Sequence, residues 1–174
     1  MQKLREVYEE PIEECGLFID KEYSYLGAFP DALIGLSGTV EIKSTFMGAH
    51  LSAEDAKNEI KSVAAAFDKK DPQKLNQTHD HYFQIQGQLH ITGTKYCLYV
   101  IHTSISQNIT IVLRDDNFWS TKMEPRLVKF YMDFLLPKII DPRCTRNRKI
   151  RNPYYTREEY SKGNLEQPLK NLIR

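Results

Sequence analysis

The chain has 174 residues, of which 41% are hydrophobic and 11% aromatic, and its formal net charge is +1. These values are ordinary for one globular domain with a hydrophobic core. No apolar run approaches the roughly 20 residues that a membrane-spanning helix needs, and the first residues lack the apolar segment of a signal peptide. We therefore expect an intracellular protein, nuclear or cytoplasmic, without a membrane partner.

The predicted elements outline a small mixed β-sheet flanked by helices. A first helix over residues 2–10 ends at Pro11, because proline disfavours helical geometry at the residue before it. Stretches rich in aliphatic and aromatic residues predict strands over residues 15–20, 32–36, 40–44, 95–103 and 108–113. Ser37 and Gly38 predict a hairpin turn between the second and third strands.

Three further helices are predicted downstream. Ser52 is a good N-cap followed by acidic residues, so a helix is expected over residues 53–67. Apolar periodicity predicts helices over residues 80–91 and 116–135. Cys97 lies in an apolar segment and is predicted to belong to the core. The three cysteines are widely spaced, without a Cys-x-x-Cys pair, so neither a disulfide framework nor a zinc site is expected.

A group of charged residues accompanies the hairpin. The segment LGAFPDALIG contains Asp31 at the start of one predicted strand, and the segment GTVEIK contains Glu41 and Lys43 on the neighbouring strand. Side chains alternate across a strand, so Glu41 and Lys43 point to one face while Ile42 packs with the core on the other. The three charges are therefore expected to converge on one patch.

This patch has the chemistry of a metal-dependent hydrolase. Two close carboxylates resist ionisation, and a divalent cation between them removes that penalty. Oxygen ligands favour Mg²⁺ or Mn²⁺ over zinc. Asp31 and Glu41 are candidate ligands, and Lys43 is a candidate to orient the attacking water or to stabilise charge on a phosphate. An ordinary half-exposed strand has the same alternation, so the motif alone leaves a structural role open.

The helix predicted over residues 80–91 carries amides on one side. Gln84 and Gln88 lie four residues apart on one face, and Ile85 and Leu89 lie four apart on another. The apolar pair is expected to face the sheet, and the amides are expected to face a cleft. Amides in a cleft can donate hydrogen bonds to a phosphate, so Gln88 is a candidate DNA contact. Glutamine is also a good helix former on an exposed surface, which leaves that alternative open.

Positive charge is concentrated late in the chain. Residues 1–140 carry 15 Lys and Arg against 19 Asp and Glu, a net charge of −4, and residues 141–174 carry 9 against 4, a net charge of +5. We place a domain boundary there, with a basic C-terminal tail from residue 141. The tail contains candidate DNA phosphate contacts, namely Arg143, Arg146, Arg148, Lys149 and Arg151. A solvated tail or a localisation signal explains the same run equally well.

Several ordered blocks resemble the YqaJ viral recombinase family, which includes lambda exonuclease and belongs to the PD-(D/E)xK nuclease superfamily. The blocks are GLF at residues 16–18, YLGAFPDAL at 25–33, VEIK at 40–43, YFQIQGQL at 82–89 and TG at 92–93. They extend from the first helix to about residue 103, well over half of the chain. Several ordered blocks are more specific than a single motif.

The resemblance implies a restriction-endonuclease-like α/β core and a Mg²⁺-dependent deoxyribonuclease, with Mn²⁺ as a substitute. It implies digestion of double-stranded DNA from its ends, in recombination or repair. Asp31, Glu41 and the Ile42 carbonyl would be metal ligands, Lys43 the catalytic lysine, and Gln84 a catalytic helix residue that reaches the site. Further candidate partners are other copies of the chain and a single-strand annealing protein.

The chain departs from the family pattern in the first helix. The glutamate that the family carries there falls at or before Met1 in this register, so the domain over residues 1–140 is expected to lack its helix start. Glu6, Glu9 and Glu10 are candidates to replace it, although acidic residues at that place also complement the helix dipole.

Three alternatives to an exonuclease stay open. The same residues would serve a structure-specific endonuclease, which cleaves circular as well as linear DNA. A module that has lost catalysis together with its first acid would bind DNA without cleaving it. An interaction platform would have neither property, and salt-sensitive DNA binding would argue against it.

Overall fold

The computed structural model describes residues 2–149. These residues divide into two compact units, one ending at Trp119 and one beginning at Ser120, which we describe separately. The domain boundary predicted after residue 140 stays a prediction. Within residues 2–149, none of the helices is long and apolar enough to cross a bilayer.

A five-stranded mixed sheet forms the centre of the first unit, in the order β1-β4-β5-β6-β7. Its strands are β1 (Ile12–Glu13), β4 (Ala32–Ile34), β5 (Gly38–Ser44), β6 (Tyr96–His102) and β7 (Gln107–Leu113). β5 and β6 are parallel, and the other neighbours are antiparallel. β2 (Phe18–Ile19) and β3 (Gly27–Ala28) pair separately. The mixed sheet with flanking helices confirms the predicted α/β fold.

Each face of the sheet carries its own apolar cluster. The first cluster joins α1 (Gln2–Val7) to four strands and contains Leu4, Ile12, Ala32, Ile34, Val40, Leu98 and Val100. The second lies under α4 (Asp80–Thr92) and includes Ile85, Leu89, Cys97, Tyr99 and Ile101. Ile42 packs against the first cluster, so the alternation along β5 turns Glu41 toward the second.

The helix α4 has a cap at each end. At its start the backbone N–H of His81 donates to His79 Nδ1 at 3.2 Å. At its end Gly93 has a φ of 73°, the left-handed conformation that favours glycine. Ile85 and Leu89 are fully buried, as their spacing predicts.

The hairpin between β4 and β5 turns earlier than predicted. Gly35, Leu36 and Ser37 form the turn, and Gly38 already belongs to β5. Gly35 supplies a φ of 52°, which glycine adopts readily. Gly38 instead allows close packing, because a Cβ there would lie 2.6 Å from the Tyr96 ring. The predicted hairpin is confirmed, but its turn lies at residues 35–37 and not at Ser37 and Gly38.

The helix predicted over residues 53–67 is broken in the middle. α2 (Ala53–Glu59) begins as expected, because Ser52 Oγ accepts a backbone N–H in the first turn at 3.0 Å. Ile60 has a ψ of 107° and separates α2 from α3 (Lys61–Ala64). Isoleucine is β-branched and is therefore well suited to this extended geometry.

The strand predicted over residues 15–20 is also shorter than expected, since only β2 remains of it. Asp20 Oδ1 accepts the backbone N–H groups of Glu22 and Tyr23 at 2.9 and 2.7 Å. These bonds form a turn of the kind that aspartate favours, and the strand ends before it.

The helix predicted over residues 116–135 is present but irregular. It consists of α5 (Asp116–Phe118), a π-helical segment (Trp119–Met123), α6 (Glu124–Phe130), a second π-helical segment (Tyr131–Leu135) and α7 (Leu136–Ile140). Pro125 and Pro137 each follow a π-helical segment closely. Proline lacks an N–H and its ring crowds the carbonyl four residues earlier, so the regular α-helical bonding is interrupted there. A 3₁₀ turn, Cys144–Arg146, follows.

Candidate active site

Glu41 lies at the centre of the candidate site and is only 3% exposed. A buried carboxylate needs hydrogen-bond donors or a cation close to it. Lys43 Nζ donates to Glu41 Oε1 at 2.6 Å, and Gln84 Nε2 donates to the same oxygen at 2.7 Å. Gln88 Nε2 donates to Oε2, also at 2.7 Å. β5 and α4 thus supply all the described partners of this carboxylate.

Lys43 and Gln84 are also bonded to each other. Lys43 Nζ donates to Gln84 Oε1 at 2.9 Å, while 28% of the Lys43 side chain is exposed. One end of the Gln84 amide therefore contacts the ammonium group and the other the carboxylate. The arrangement holds the ammonium group beside Glu41 and leaves part of it accessible. The structure brings together the residues predicted to be catalytic on β5 and α4, and their roles stay predictions.

Asp31 completes the predicted charged group from the neighbouring strand. The antiparallel register pairs Ala32 with Val40, so one further step places Asp31 opposite Glu41 on the same face. The Ile42 backbone N–H donates to Asp31 Oδ2 at 2.6 Å. Asp31 is exposed, and within the described part of the chain no residue donates to its Oδ1.

The carboxylates of Asp31 and Glu41 offer the oxygen atoms that a hard divalent cation prefers. Mg²⁺ usually binds proteins through one or two carboxylates and keeps several waters. Asp31 has an oxygen without a described donor, and Glu41 lies on the adjacent strand of the same face. Among residues 2–149, no group of three or more His, Cys, Asp and Glu side chains is arranged to hold a metal. The two carboxylates supply oxygen donors only, and such donors suit Mg²⁺ or Mn²⁺ better than zinc.

The three candidates for a first-helix acid lie away from this group. Glu6, Glu9 and Glu10 are all exposed. The Tyr96 hydroxyl donates to Glu10 Oε2 at 3.4 Å, and Tyr96 packs against the first cluster, on the opposite face of the sheet. Burial and the Glu10 charge raise the pKa of Tyr96. Among the contacts described for residues 2–149, none brings these acids to the site.

Tyr99 and His81 lie beside the site, and Tyr99 was not predicted to belong to it. Tyr99 pairs with Glu41 in the parallel ladder, and burial and then the Glu41 charge raise the pKa of Tyr99. Its hydroxyl lies 2.7 Å from His81 Nδ1. Burial, followed by the charges of His79 and Lys43, lowers the pKa of His81 to about 4. The imidazole is therefore neutral at pH 7. The signal that identifies Tyr99 is the parallel pairing of β5 with β6, which no local pattern specifies.

Gln88 was predicted to contact DNA, and the structure places it in the interior. It is 3% exposed, and its amide donates to Glu41. Gln84, one helical turn earlier, is exposed and contacts the same carboxylate from the accessible side. A helix that crosses a sheet buries its successive turns to different depths. The four-residue spacing of Gln84 and Gln88 therefore does not reveal which of the two side chains is buried.

The predicted basic contacts belong to the second unit. Arg143 Nε lies 3.5 Å from Asp141 Oδ2, and Arg146 forms an ion pair with the same carboxylate. Arg148 and Lys149 are exposed. Arg151 lies outside the described residues. Contact of this cluster with DNA stays a prediction.

No protein-family model and no curated protein matches the sequence. Among solved structures, the chain is similar to an alkaline exonuclease, LHK-Exo from Laribacter hongkongensis, with a TM-score of 0.61 and 21% identity over 84% of this chain and 68% of that chain. LHK-Exo in complex with dAMP gives a TM-score of 0.56 and 21% identity, over 82% of this chain and 68% of that chain. Similarity at this identity is evidence of the fold alone. The chain therefore has the restriction-endonuclease-like α/β fold that its sequence predicts.

Proposed function

We propose that the chain is a metal-dependent deoxyribonuclease of the YqaJ and lambda exonuclease type, which digests double-stranded DNA from its ends. The observation that carries this proposal is the contact of Glu41 with Lys43 and Gln84, opposite an exposed Asp31. Paired carboxylates beside a lysine suit the metal-assisted hydrolysis of phosphodiesters. The fold shared with an alkaline exonuclease supports the same class of activity.

Asp31, Glu41 and the Ile42 carbonyl would hold Mg²⁺, with Mn²⁺ as a substitute. When bound, such a cation supplies Lewis-acid stabilisation of the phosphate and makes water a better nucleophile. The partly exposed Lys43 ammonium would stabilise negative charge on a phosphate oxygen or orient the attacking water. Gln84 would keep that ammonium in place through its Oε1.

Digestion of linear and closed circular duplex DNA, each with Mg²⁺ or with EDTA, tests the proposal. We expect Mg²⁺-dependent release of nucleotides from linear DNA and an intact circle. A preparation of Lys43→Ala protein controls for contaminating nucleases. Cleavage of the circle would indicate a structure-specific endonuclease, and the absence of any Mg²⁺-dependent cleavage would contradict a nuclease function.

A DNA-binding module without catalysis is the second candidate. It is favoured by the described residues, among which no third acidic side chain joins Asp31 and Glu41. Such a module would bind DNA in a salt-sensitive manner, without Mg²⁺-stimulated cleavage. An interaction platform would do neither.

The proposed nuclease also has an expected biological setting. A role in recombination or repair, a homo-oligomer and a single-strand annealing partner follow from the family resemblance, and an intracellular location follows from the composition of the sequence. Each stays a prediction.

A further inference from the structure

The orientation of the Gln88 amide is determined by two acceptors. Its Nε2 donates to Glu41 Oε2 at 2.7 Å and lies 3.5 Å from the carbonyl oxygen of Phe29. Carboxylate and carbonyl oxygens only accept hydrogen bonds, so the nitrogen end of the amide must face them. Both acceptors therefore require the same orientation of the amide, in which the nitrogen donates to Glu41.

Among residues 2–149, the other end of this amide has no hydrogen-bond partner. Gln88 is 3% exposed, and no described hydrogen bond reaches its buried Oε1. A buried acceptor without a donor costs free energy, whereas a hydrogen bond to an ionised carboxylate is stronger than one between neutral groups. Packing alone would be served better by an apolar side chain. The contact with Glu41 is thus the feature that accounts for a glutamine at this place.

The two oxygens of Glu41 have different surroundings. Oε1 accepts from Lys43 and Gln84, whose side chains are partly or largely exposed. Oε2 accepts from the buried amide of Gln88. Without that bond, Oε2 loses its described donor, and the carboxylate can rotate about its terminal bond. The amide also reaches the Phe29 carbonyl, in the segment that leads into β4.

We propose that Gln88 is a positioning residue that acts through Glu41. It holds the Glu41 carboxylate in one orientation and ties α4 to the segment that precedes Asp31. The two carboxylates are then preorganised for a divalent cation, because outer partners of metal ligands set ligand orientation and affinity. This inference rests on the proposed function and adds a role for a residue that contacts neither DNA nor the cation.

Gln86, on the same helix, offers a matched control. It is 1% exposed, its Nε2 donates to the Leu113 carbonyl at 2.8 Å, and its Oε1 accepts the Asp115 backbone N–H at 2.8 Å. These bonds hold the end of β7 and the residues after it. Replacing either glutamine by methionine removes a buried amide and keeps an unbranched side chain of similar length. The two variants therefore separate positioning of Glu41 from loss of stability.

Calorimetric titration of Mn²⁺ into the full chain, together with kcat and KM on linear DNA, tests the proposal. Gln88→Met is expected to weaken Mn²⁺ binding by about tenfold or more and to lower kcat, with KM changed by less than about twofold. Gln86→Met is expected to lower the melting temperature and to keep Mn²⁺ affinity within about twofold of wild type. Gln88→Asn keeps the amide but is one methylene shorter, and it should repeat the loss seen in Gln88→Met.

Wild-type Mn²⁺ affinity in a folded Gln88→Met or Gln88→Asn protein would overturn the proposal. An equal loss of Mn²⁺ affinity in Gln86→Met would do the same, because it would reveal a general effect of buried amides in α4. Both outcomes leave the proposed function intact, since the wild-type chain still binds and cleaves. A wild-type chain that neither binds Mn²⁺ nor cleaves DNA would contradict the proposed function itself, and this inference with it.

Discussion

Glu41 combines a negative charge with almost complete burial. An isolated carboxylate in a protein interior is strongly unfavourable, and removing one partner of a buried pair costs about 3–5 kcal/mol. Here 5% of the Glu41 side chain is exposed, and the ammonium of Lys43 lies 2.6 Å away. Two amides donate as well. The polar residues of β5 and α4 therefore stabilise one another, and this network holds reactive groups in a defined geometry.

Replacing Lys43 by alanine should separate catalysis from binding. The change removes the ammonium group that would face the phosphate, so we expect Mg²⁺-dependent cleavage to fall by about 10³-fold. The two glutamine amides still donate to Glu41, so the site should keep its structure. DNA binding should therefore persist. Nuclease assays and fluorescence anisotropy with labelled duplex measure the two properties. Lys69→Ala removes an exposed lysine from a loop and serves as the charge-matched control. Substantial residual turnover in Lys43→Ala would refute the assigned role.

His81 should make the stability of the fold depend on pH. Its pKa of about 4 lies below the ordinary value of 6.5, so the unfolded chain binds the proton more readily. The free energy of unfolding is therefore highest above pH 6.5 and decreases as the pH falls from 6.5 toward 4. Urea unfolding at about pH 7.5 and about pH 5 should show a larger loss for wild type than for His81→Gln. Equal losses in the two proteins would argue against a half-buried, neutral imidazole.

At the scale of elements, predictions from the sequence succeed where the information is local. The apolar spacing along α4 and the alternation along β5 need only a few neighbouring residues. The break at Ile60 and the two-residue strands β1, β2 and β3 depend instead on contacts with distant segments. Such short strands show no periodicity of their own. They form because a neighbouring strand offers hydrogen bonds.

The packing of α4 on the sheet should be a major source of stability. Leu89 is fully buried in the cluster beneath this helix, so Leu89→Ala should lower the free energy of unfolding by about 2–5 kcal/mol. Ile111→Ala, at a position that is 61% exposed, should cost no more than about 1 kcal/mol. Denaturant unfolding of both proteins measures the difference. Similar losses would mean that α4 does not anchor the site as described.

At the scale of the first unit, the topology gathers the site on one face of the sheet, at its central strand β5. β4 and β5 are antiparallel, so the residue before β4 lies beside the middle of β5. This places Asp31 opposite Glu41, and the turn over residues 35–37, not the turn predicted from the sequence, sets this register. The parallel pairing of β5 with β6, which brings Tyr99 to Glu41, joins segments more than fifty residues apart. The depth at which α4 buries Gln88 depends on that same packing, and neither feature has a local signature.

Calorimetric titration of Mn²⁺ into wild-type and Asp31→Asn protein asks directly whether Asp31 and Glu41 share a cation. Asparagine keeps an oxygen to accept the Ile42 N–H, so the fold should be preserved while one ligand charge is lost. The wild-type protein should bind Mn²⁺, and Asp31→Asn should weaken that binding by about tenfold or more. Asp71→Asn, in an exposed loop pair with Lys74, should leave it unchanged. An identical titration for wild type and Asp31→Asn would contradict metal ligation by Asp31.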